Sequence, residues 1–150
     1  MEEPPLTMLV SAQAAQMRGD EEAAGDFFKA MMECPETEFL GLRGLLNQAI
    51  KRGDKREALS LARRAYRLQP KSTWVAANMF ELQTQTAQWL DARVTCDDLK
   101  RRKLIETDEA KRRKAVLSYQ LSQEAKARGD AGEALDYLLD AHKLAPGLIP

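Results

Sequence analysis

The chain has 150 residues, a length that suits one domain or a short array of repeats. Its 23 Lys and Arg residues balance 23 Asp and Glu residues, so it lacks the broad positive charge that drives nucleic-acid binding. Two cysteines in different segments, Cys34 and Cys96, and a single histidine, His142, leave little material for a metal site or for Ser-His catalysis. No run of residues approaches the roughly 18–20 apolar residues of a membrane-spanning helix.

Helical periodicity and turn residues predict an all-α chain of four antiparallel helix pairs. No run alternates with period two for long enough to predict a strand. The pairs are expected at about 5–18 with 20–33, 38–52 with 54–68, 73–86 with 88–104, and 108–128 with 130–144.

The tripeptide Arg-Gly-Asp occurs three times, at residues 18–20, 52–54 and 128–130. It could be a cell-adhesion motif, but a helix–helix turn explains each residue better. The glycine can adopt the left-handed conformation that ends a helix, and the aspartate can cap the next helix. The arginine suits the C-terminal end of the preceding helix dipole.

The spacing of these turns indicates a repeat. Gly53 follows Gly19 by 34 residues, and a further 34 residues lead to Ala87, where we expect another turn. Gly129 comes 42 residues after Ala87, so about eight residues are inserted near 100–110. A 34-residue period of paired helices is that of the tetratricopeptide repeat (TPR).

Small and apolar residues recur in the same register. Five residues after each turn position lies an alanine, and seven residues later lies a second position expected to be inward-facing. Prolines end the second helix in two of the units. The positions are Ala24, Ala58, Ala92 and Ala134, then Met31, Ala65, Leu99 and Ala141, with Pro70 and Pro146 as the terminal prolines.

Helix starts and inward faces follow from local patterns. Thr37 is expected to cap the third helix, Ser72 or Thr73 the fifth, and Thr107 or Asp108 the seventh. Two apolar faces are expected to meet in the second pair: Phe39, Leu42, Leu45, Leu46 and Ala49 on one helix, and Ala58, Leu61, Ala62, Ala65 and Leu68 on the other.

The chain resembles the TPR family over all four units. The resemblance implies one domain over residues 1–150, a right-handed solenoid with repeats at about 5–36, 38–70, 73–104 and 108–146, and a concave groove that binds a protein or peptide. The groove positions transferred by register are Arg43, Asn47, Lys51, Asn78, Glu81, Gln85, Tyr119, Gln120, Gln123 and Lys126. An ordinary solvated helix face would carry a similar polar strip, and Arg43, Asn47, Lys51 and Asn78 match a chaperone-type carboxylate clamp only loosely.

Two basic runs, Lys100–Lys103 and Lys111–Lys114, flank the insert. They could bind an anionic lipid or an acidic partner, or they could be solvated helix faces whose charge is neutralised by nearby acids.

Motifs for catalysis are missing, since the glycines are isolated turn residues and no nucleophile elbow or zinc motif occurs. We therefore expect no enzymatic activity, no cofactor and no metal. His142 is expected at a helix end or on the surface, Cys34 at a helix end beside Pro35, and Cys96 in the core.

Several segments are similar to the HemY-type TPR proteins of proteobacteria. They are residues 35–45 (PETEFLGLRGL), 61–65 (LARRA), 73–75 (TWV), 80–82 (FEL) and 110–117 (AKRRKAVL). The resemblance implies a scaffold associated with haem biosynthesis, with haem-pathway enzymes as partners, whose TPR part faces the cytoplasm at the bacterial inner membrane. It also implies that the membrane anchor and later repeats lie outside this chain, and that the fragment is soluble.

The last helix carries Leu135, Leu138 and Leu139 without a further helix to cover them, so we expect exposed apolar surface. This surface predicts either further sequence in the natural protein or self-association of the fragment. Three functions stay open: a haem-linked TPR scaffold, a generic TPR assembly factor or co-chaperone, and a tetrapyrrole carrier that uses Met, Cys or His142.

Overall fold

The structure is a computed structural model that describes residues 5–147. Over those residues the regular secondary structure is all α-helix and contains no strand, which confirms the predicted fold class and all eight helices. The helices are α1 (Pro5–Met17), α2 (Glu21–Met31), α3 (Glu38–Arg52), α4 (Lys55–Leu68), α5 (Thr73–Gln85), α6 (Trp89–Arg101), α7 (Thr107–Ala127) and α8 (Ala131–Leu144).

The turn inside each helix pair has the left-handed geometry that the sequence predicts. Gly19, Gly53 and Gly129 have φ values of 76°, 76° and 83°, and Ala87 has a φ of 57°. At each turn, the residue after the left-handed one donates its backbone N–H to the carbonyl oxygen five residues earlier, at 2.8 to 3.0 Å. This hydrogen bond satisfies a carbonyl group at the end of the first helix. The turn predicted at Ala87 from the 34-residue period alone is therefore confirmed.

The aspartates of the three triplets cap the second helix of their pairs. The side chains of Asp20, Asp54 and Asp130 each accept a hydrogen bond from the backbone N–H three residues later, at 3.0, 3.1 and 3.0 Å. That bond holds the pKa of the Asp130 carboxyl below its usual range. Each cap of this kind stabilises a helix by about 1 kcal/mol.

Two of the triplet arginines close the same turns by ion pairs. Arg52 contacts Glu57 at 3.0 Å and Arg128 contacts Glu133 at 3.2 Å, with all four side chains substantially exposed. Exposed pairs contribute about 0–1 kcal/mol, so the glycine and the aspartate set the turn and the arginine adds little.

Thr37 does not cap α3 with its side chain. It stands at the N-cap position, but its hydroxyl is buried and donates to the carbonyl oxygen of Met31 at 2.7 Å. The hydroxyl therefore satisfies the end of α2 instead of the start of α3, because burial leaves it no water and the nearest acceptor is a helix-end carbonyl.

Two other helix starts can be compared with their predicted caps. The Ser72 hydroxyl accepts from the Val75 backbone N–H at 3.4 Å, which confirms it as the cap of α5. The N-cap of α7 is Glu106, in extended conformation and without a side-chain cap bond, so the prediction of Thr107 or Asp108 was wrong.

Helix α6 ends at Arg101, three residues before the predicted end. Lys103 has a φ of 60°, and the Leu104 N–H bonds the Leu99 carbonyl at 2.8 Å. A left-handed turn therefore forms at a lysine, where no glycine or proline marks it.

The chain divides into two compact units, Met1–Leu82 and Gln83–Pro150, with the boundary inside α5. The first unit has two apolar clusters. One lies between α1 and α2 around Phe28 and Met31, and the other lies among α3, α4 and α5 around Leu42, Leu46 and Val75. The predicted faces of α3 and α4 meet there, except that Leu68 is 45% exposed and was wrongly placed in the core.

Two glycines allow α3 to approach α2 closely. A β-carbon on Gly41 would lie 2.5 Å from the carbonyl oxygen of Phe28, and one on Gly44 would overlap the Phe28 ring. Their absent side chains therefore fix both the distance between these helices and the position of that ring.

The second unit is built on α6, α7 and α8. On these three helices the buried positions are small or aliphatic, and the predicted core residues Ala92, Cys96, Leu99 and Ala141 are all buried, whereas Ala134 is only half-buried. None of the helices described between residues 5 and 147 has the length and apolar character needed to traverse a bilayer.

Candidate functional site

A cleft of about 340 Å³ opens among the first helices of three successive pairs in the first unit. It is lined by Leu9, Gln13 and Gln16 of α1, Phe28 of α2, Leu40, Arg43, Gly44 and Asn47 of α3, and Trp74 of α5. The lining combines three side-chain amides and one guanidinium with aromatic and aliphatic walls. Clefts of this size with a few polar groups on an apolar lining are typical of binding sites.

Arg43 and Trp74 form one wall of this cleft. The guanidinium carbon of Arg43 lies 4.9 Å from the centre of the Trp74 ring, within the range of a cation–π contact. Asn78 sits one turn along α5 and donates its amide to the Trp74 carbonyl oxygen at 2.8 Å. The cation–π contact with Trp74 orients the Arg43 guanidinium beside the cleft. The guanidinium N–H donors stay available to a ligand because the Arg43 side chain remains exposed.

Gly44 shapes the floor of the cleft. A side chain here would occupy the space that the Phe28 ring fills, and Phe28 is only 4% exposed. Phe28 therefore contributes to the lining of the cleft while most of its ring packs in the core, so a ligand meets an aromatic contact there.

The predicted groove residues fall into different settings. Arg43 and Asn47 line the cleft, while Lys51 lies exposed one turn farther along α3. Asn78 is half-buried and Glu81 is exposed, both on α5. The remaining positions lie in the second unit, where Tyr119 and Gln120 are half-buried and Gln85, Gln123 and Lys126 are exposed. Whether these residues bind a partner stays a prediction.

The sequence did not reveal the contributions of α1, α2 and Trp74 to the cleft. Gln13 and Gln16 are three residues apart on a first helix, a spacing that could have marked them as groove positions. Trp74 carries no such local signal, because its role depends on Arg43, which is 31 residues earlier in the chain.

Ion pairs form at four of the eight residues in the two basic runs, namely Arg101, Arg112, Arg113 and Lys114. Glu109 bonds both Arg112 and Arg113, and these guanidiniums hold the pKa of the Glu109 carboxyl below its usual range. In the first run, Arg101 pairs with Asp98. These contacts support the solvated-face interpretation for Arg101, Arg112 and Arg113.

The histidine and the two cysteines, the residues most suited to metal binding or nucleophilic chemistry, have different surroundings. His142 is exposed on α8, and Cys34 is half-buried after α2. Cys96 is fully buried, its thiol lies 3.5 Å from the Ala110 carbonyl oxygen, and burial raises the pKa of the Cys96 thiol. Within residues 5–147 no three His, Cys, Asp or Glu side chains are grouped so that they could hold a metal ion.

Comparison with known proteins identifies the architecture. No protein-family model matches the chain, and no curated protein does either. Two solved structures of MamA match it: the MamA RS-1 ArsTM double mutant, and MamA from residue 41 to its end from Desulfovibrio magneticus RS-1. They are 16% and 14% identical to this chain, with TM-scores of 0.58 and 0.57. Each match covers 97% of this chain and 78% of the MamA chain.

The fold is all-α and TPR-like. MamA is a TPR-like helical repeat protein, so the architecture inferred from the 34-residue period is confirmed. At this low identity the likeness concerns the fold, and the HemY resemblance remains a hypothesis from the sequence.

The last helix of this TPR-like chain carries exposed apolar side chains. Leu135, Leu138 and Leu139 are 55%, 37% and 57% exposed in the described part of the chain. The expected apolar surface is therefore present, and self-association through it stays a prediction that light scattering can test.

Proposed function

We propose that this chain is a non-enzymatic TPR-like scaffold that binds a segment of a partner protein in the cleft of α1, α3 and α5. The observation that carries the proposal is the convergence of amide, guanidinium and aromatic groups in one concave space. First helices line the concave surface of stacked helix pairs, and such surfaces serve as binding sites in repeat proteins.

The chemistry of the cleft suits a peptide. The amides of Gln13, Gln16 and Asn47 can each donate to and accept from peptide backbone groups. The Trp74 and Phe28 rings offer apolar contact for one or two side chains. Among the described residues that line the cleft, Arg43 is the only charged one, so the peptide is expected to place an acidic side chain or a terminal carboxylate beside it.

The HemY resemblance supplies the finer proposal. We propose that the partners are enzymes of haem biosynthesis and that the intact protein is anchored at the inner membrane. The alternatives are a generic TPR assembly factor or co-chaperone with the same cleft, and a tetrapyrrole carrier.

The test uses a photoreactive amino acid placed at Asn47, inside the cleft, in a native bacterial membrane extract. Cross-linked partners are identified by mass spectrometry, with and without the substitution Arg43→Glu. The matched control is Arg56→Glu, which makes the same charge change at an exposed position on α4. A second control places the cross-linker at Arg56.

A partner captured from Asn47, lost in Arg43→Glu and kept in Arg56→Glu, is the expected result. If capture is equal in all variants, the cleft is not the binding surface. Haem-pathway enzymes among the lost partners support the HemY link. If the lost partners are unrelated proteins, the HemY link is wrong but the cleft is still supported as the binding surface. A porphyrin titration tests the carrier alternative, which requires a shift of the absorbance band.

A further inference from the structure

We infer that the second unit contains a binding pocket for a phosphate group. A cavity of about 410 Å³ opens between α6, α7 and α8, lined by Arg93, Lys111, Lys114, Asp140, Lys143 and Leu144. Four of these six residues are cations and one is an acid, in a chain whose formal net charge is zero. The chain therefore concentrates positive charge in one concave space.

The four cations come from all three helices, so they surround the space instead of covering one flat face. Arg93 comes from α6, Lys111 and Lys114 come from α7, and Lys143 comes from α8. A phosphate group presents oxygens in tetrahedral directions and can accept hydrogen bonds from several sides, whereas a carboxylate accepts mainly in one plane. The arrangement therefore favours phosphate, which lysine binds well as a point charge.

Two of the cations are already held in place. The Lys114 ammonium pairs with Asp97 at 2.9 Å, and Lys114 is half-buried. The Arg93 guanidinium carbon lies 6.0 Å from the centre of the Tyr137 ring. Both contacts limit side-chain motion, and this reduces the entropy that ligand binding must overcome.

The other two cations form neither kind of contact with any residue that the structure describes. Lys111 and Lys143 are exposed, and within residues 5–147 neither has a carboxylate within ion-pair distance. This sets Lys111 apart from Arg112 and Arg113 of the same basic run, which are paired with Glu109. The unneutralised charge of the second run thus lies at the pocket.

Asp140 is the acidic exception. It weakens the attraction for any anion, and it can accept a hydrogen bond from a hydroxyl or amine next to the phosphate. We expect the ligand to be a phosphate ester, either a free phosphorylated molecule or a phospholipid headgroup.

The first test is calorimetric titration of the whole chain with pyrophosphate. The variant Lys111→Gln/Lys143→Gln removes the two unpaired pocket charges, and Lys55→Gln/Lys100→Gln removes two exposed charges elsewhere. Saturable binding that is roughly tenfold or more weaker in the pocket variant, and unchanged in the control, is expected, because bonds between charged groups are among the stronger polar contacts.

A titration with citrate defines the chemical class of the ligand. Citrate carries a similar charge on carboxylates, so citrate binding as tight as pyrophosphate binding would overturn the assignment to phosphate. Equal affinity of the pocket and control variants for pyrophosphate, or no saturable binding, would also overturn it.

Vesicle sedimentation separates the two phosphate sources. Vesicles of phosphatidylcholine with phosphatidic acid that retain the chain, but not the pocket variant, assign the site to a lipid headgroup. Pyrophosphate binding without vesicle binding assigns it to a free phosphorylated molecule, and both results support the phosphate pocket.

Discussion

Replacing Gly41 with alanine should destabilise the first unit, although alanine is the better helix former. Helix propensity alone would favour the change by about 1 kcal/mol. The new methyl group, however, would lie 2.5 Å from the Phe28 carbonyl oxygen, 3.1 Å from Met32 Cγ and 3.2 Å from Met31 Cβ. The nearest of these atoms belongs to the backbone of α2, so relief requires the helices to separate.

Overpacking of this kind costs about 1–3 kcal/mol, and helix separation adds a loss of contact around Phe28. We therefore expect a net loss of about 1–2 kcal/mol. Urea unfolding followed by far-UV circular dichroism measures it.

The control is Gly132→Ala, in the first turn of α8, where the nearest atom to a new β-carbon is Asp130 Oδ1 at 3.8 Å. The same substitution should stabilise the chain there by about 0.4–1 kcal/mol, because it restricts only the unfolded state. A Gly41→Ala chain that is as stable as the wild type would refute the claim that this glycine sets the spacing of α2 and α3.

Three other predictions concern the third turn and the buried thiol. Ala87→Gly should raise the thermal midpoint, since the left-handed conformation costs a non-glycine residue about 1–2 kcal/mol; a lower midpoint would contradict the turn geometry. Cys34 should react with a thiol reagent before Cys96, because burial raises the pKa of the Cys96 thiol; simultaneous reaction in the folded chain would count against that burial. The unfolded thiol ionises near pH ~8.5 and the folded one only at higher pH, so stability should fall as pH rises above about 8.5, and less steeply in Cys96→Ala.

The eight helices could be predicted because their signals are local. A glycine that ends a helix and an aspartate that caps the next act within a few residues, and both occur at Gly53 and Asp54. The repeat period then located the turn at Ala87, which has no local signal of its own. Thr37 shows the limit of local reasoning, since burial redirected its hydroxyl to the end of the preceding helix.

The cleft could be predicted only in part. The repeat register predicted Arg43 and Asn47 as groove residues, and both line the cleft. Such positions can be predicted because they depend only on where the first helix of a pair begins. Trp74 and Phe28 were missed, because a ring's contribution depends on which helix packs against it and at what distance. The distance between α2 and α3 is set by glycines, and the sequence alone does not say which glycines meet a neighbour and which meet solvent.

Net charge predicts even less about the second pocket. A chain with equal numbers of acids and bases excludes a broad electrostatic field, but it does not exclude a local one. The electrostatic field at the pocket depends on which cations form ion pairs with acidic side chains. Arg112 and Arg113 both pair with Glu109, whereas Lys111 has no ion-pair partner among the described residues. Because the two proposed sites lie in different units and use different side chains, Arg43→Glu should leave pyrophosphate affinity unchanged. A loss of affinity in that variant would mean that the substitution disturbs the chain as a whole, and the cross-linking result would then have to be reinterpreted.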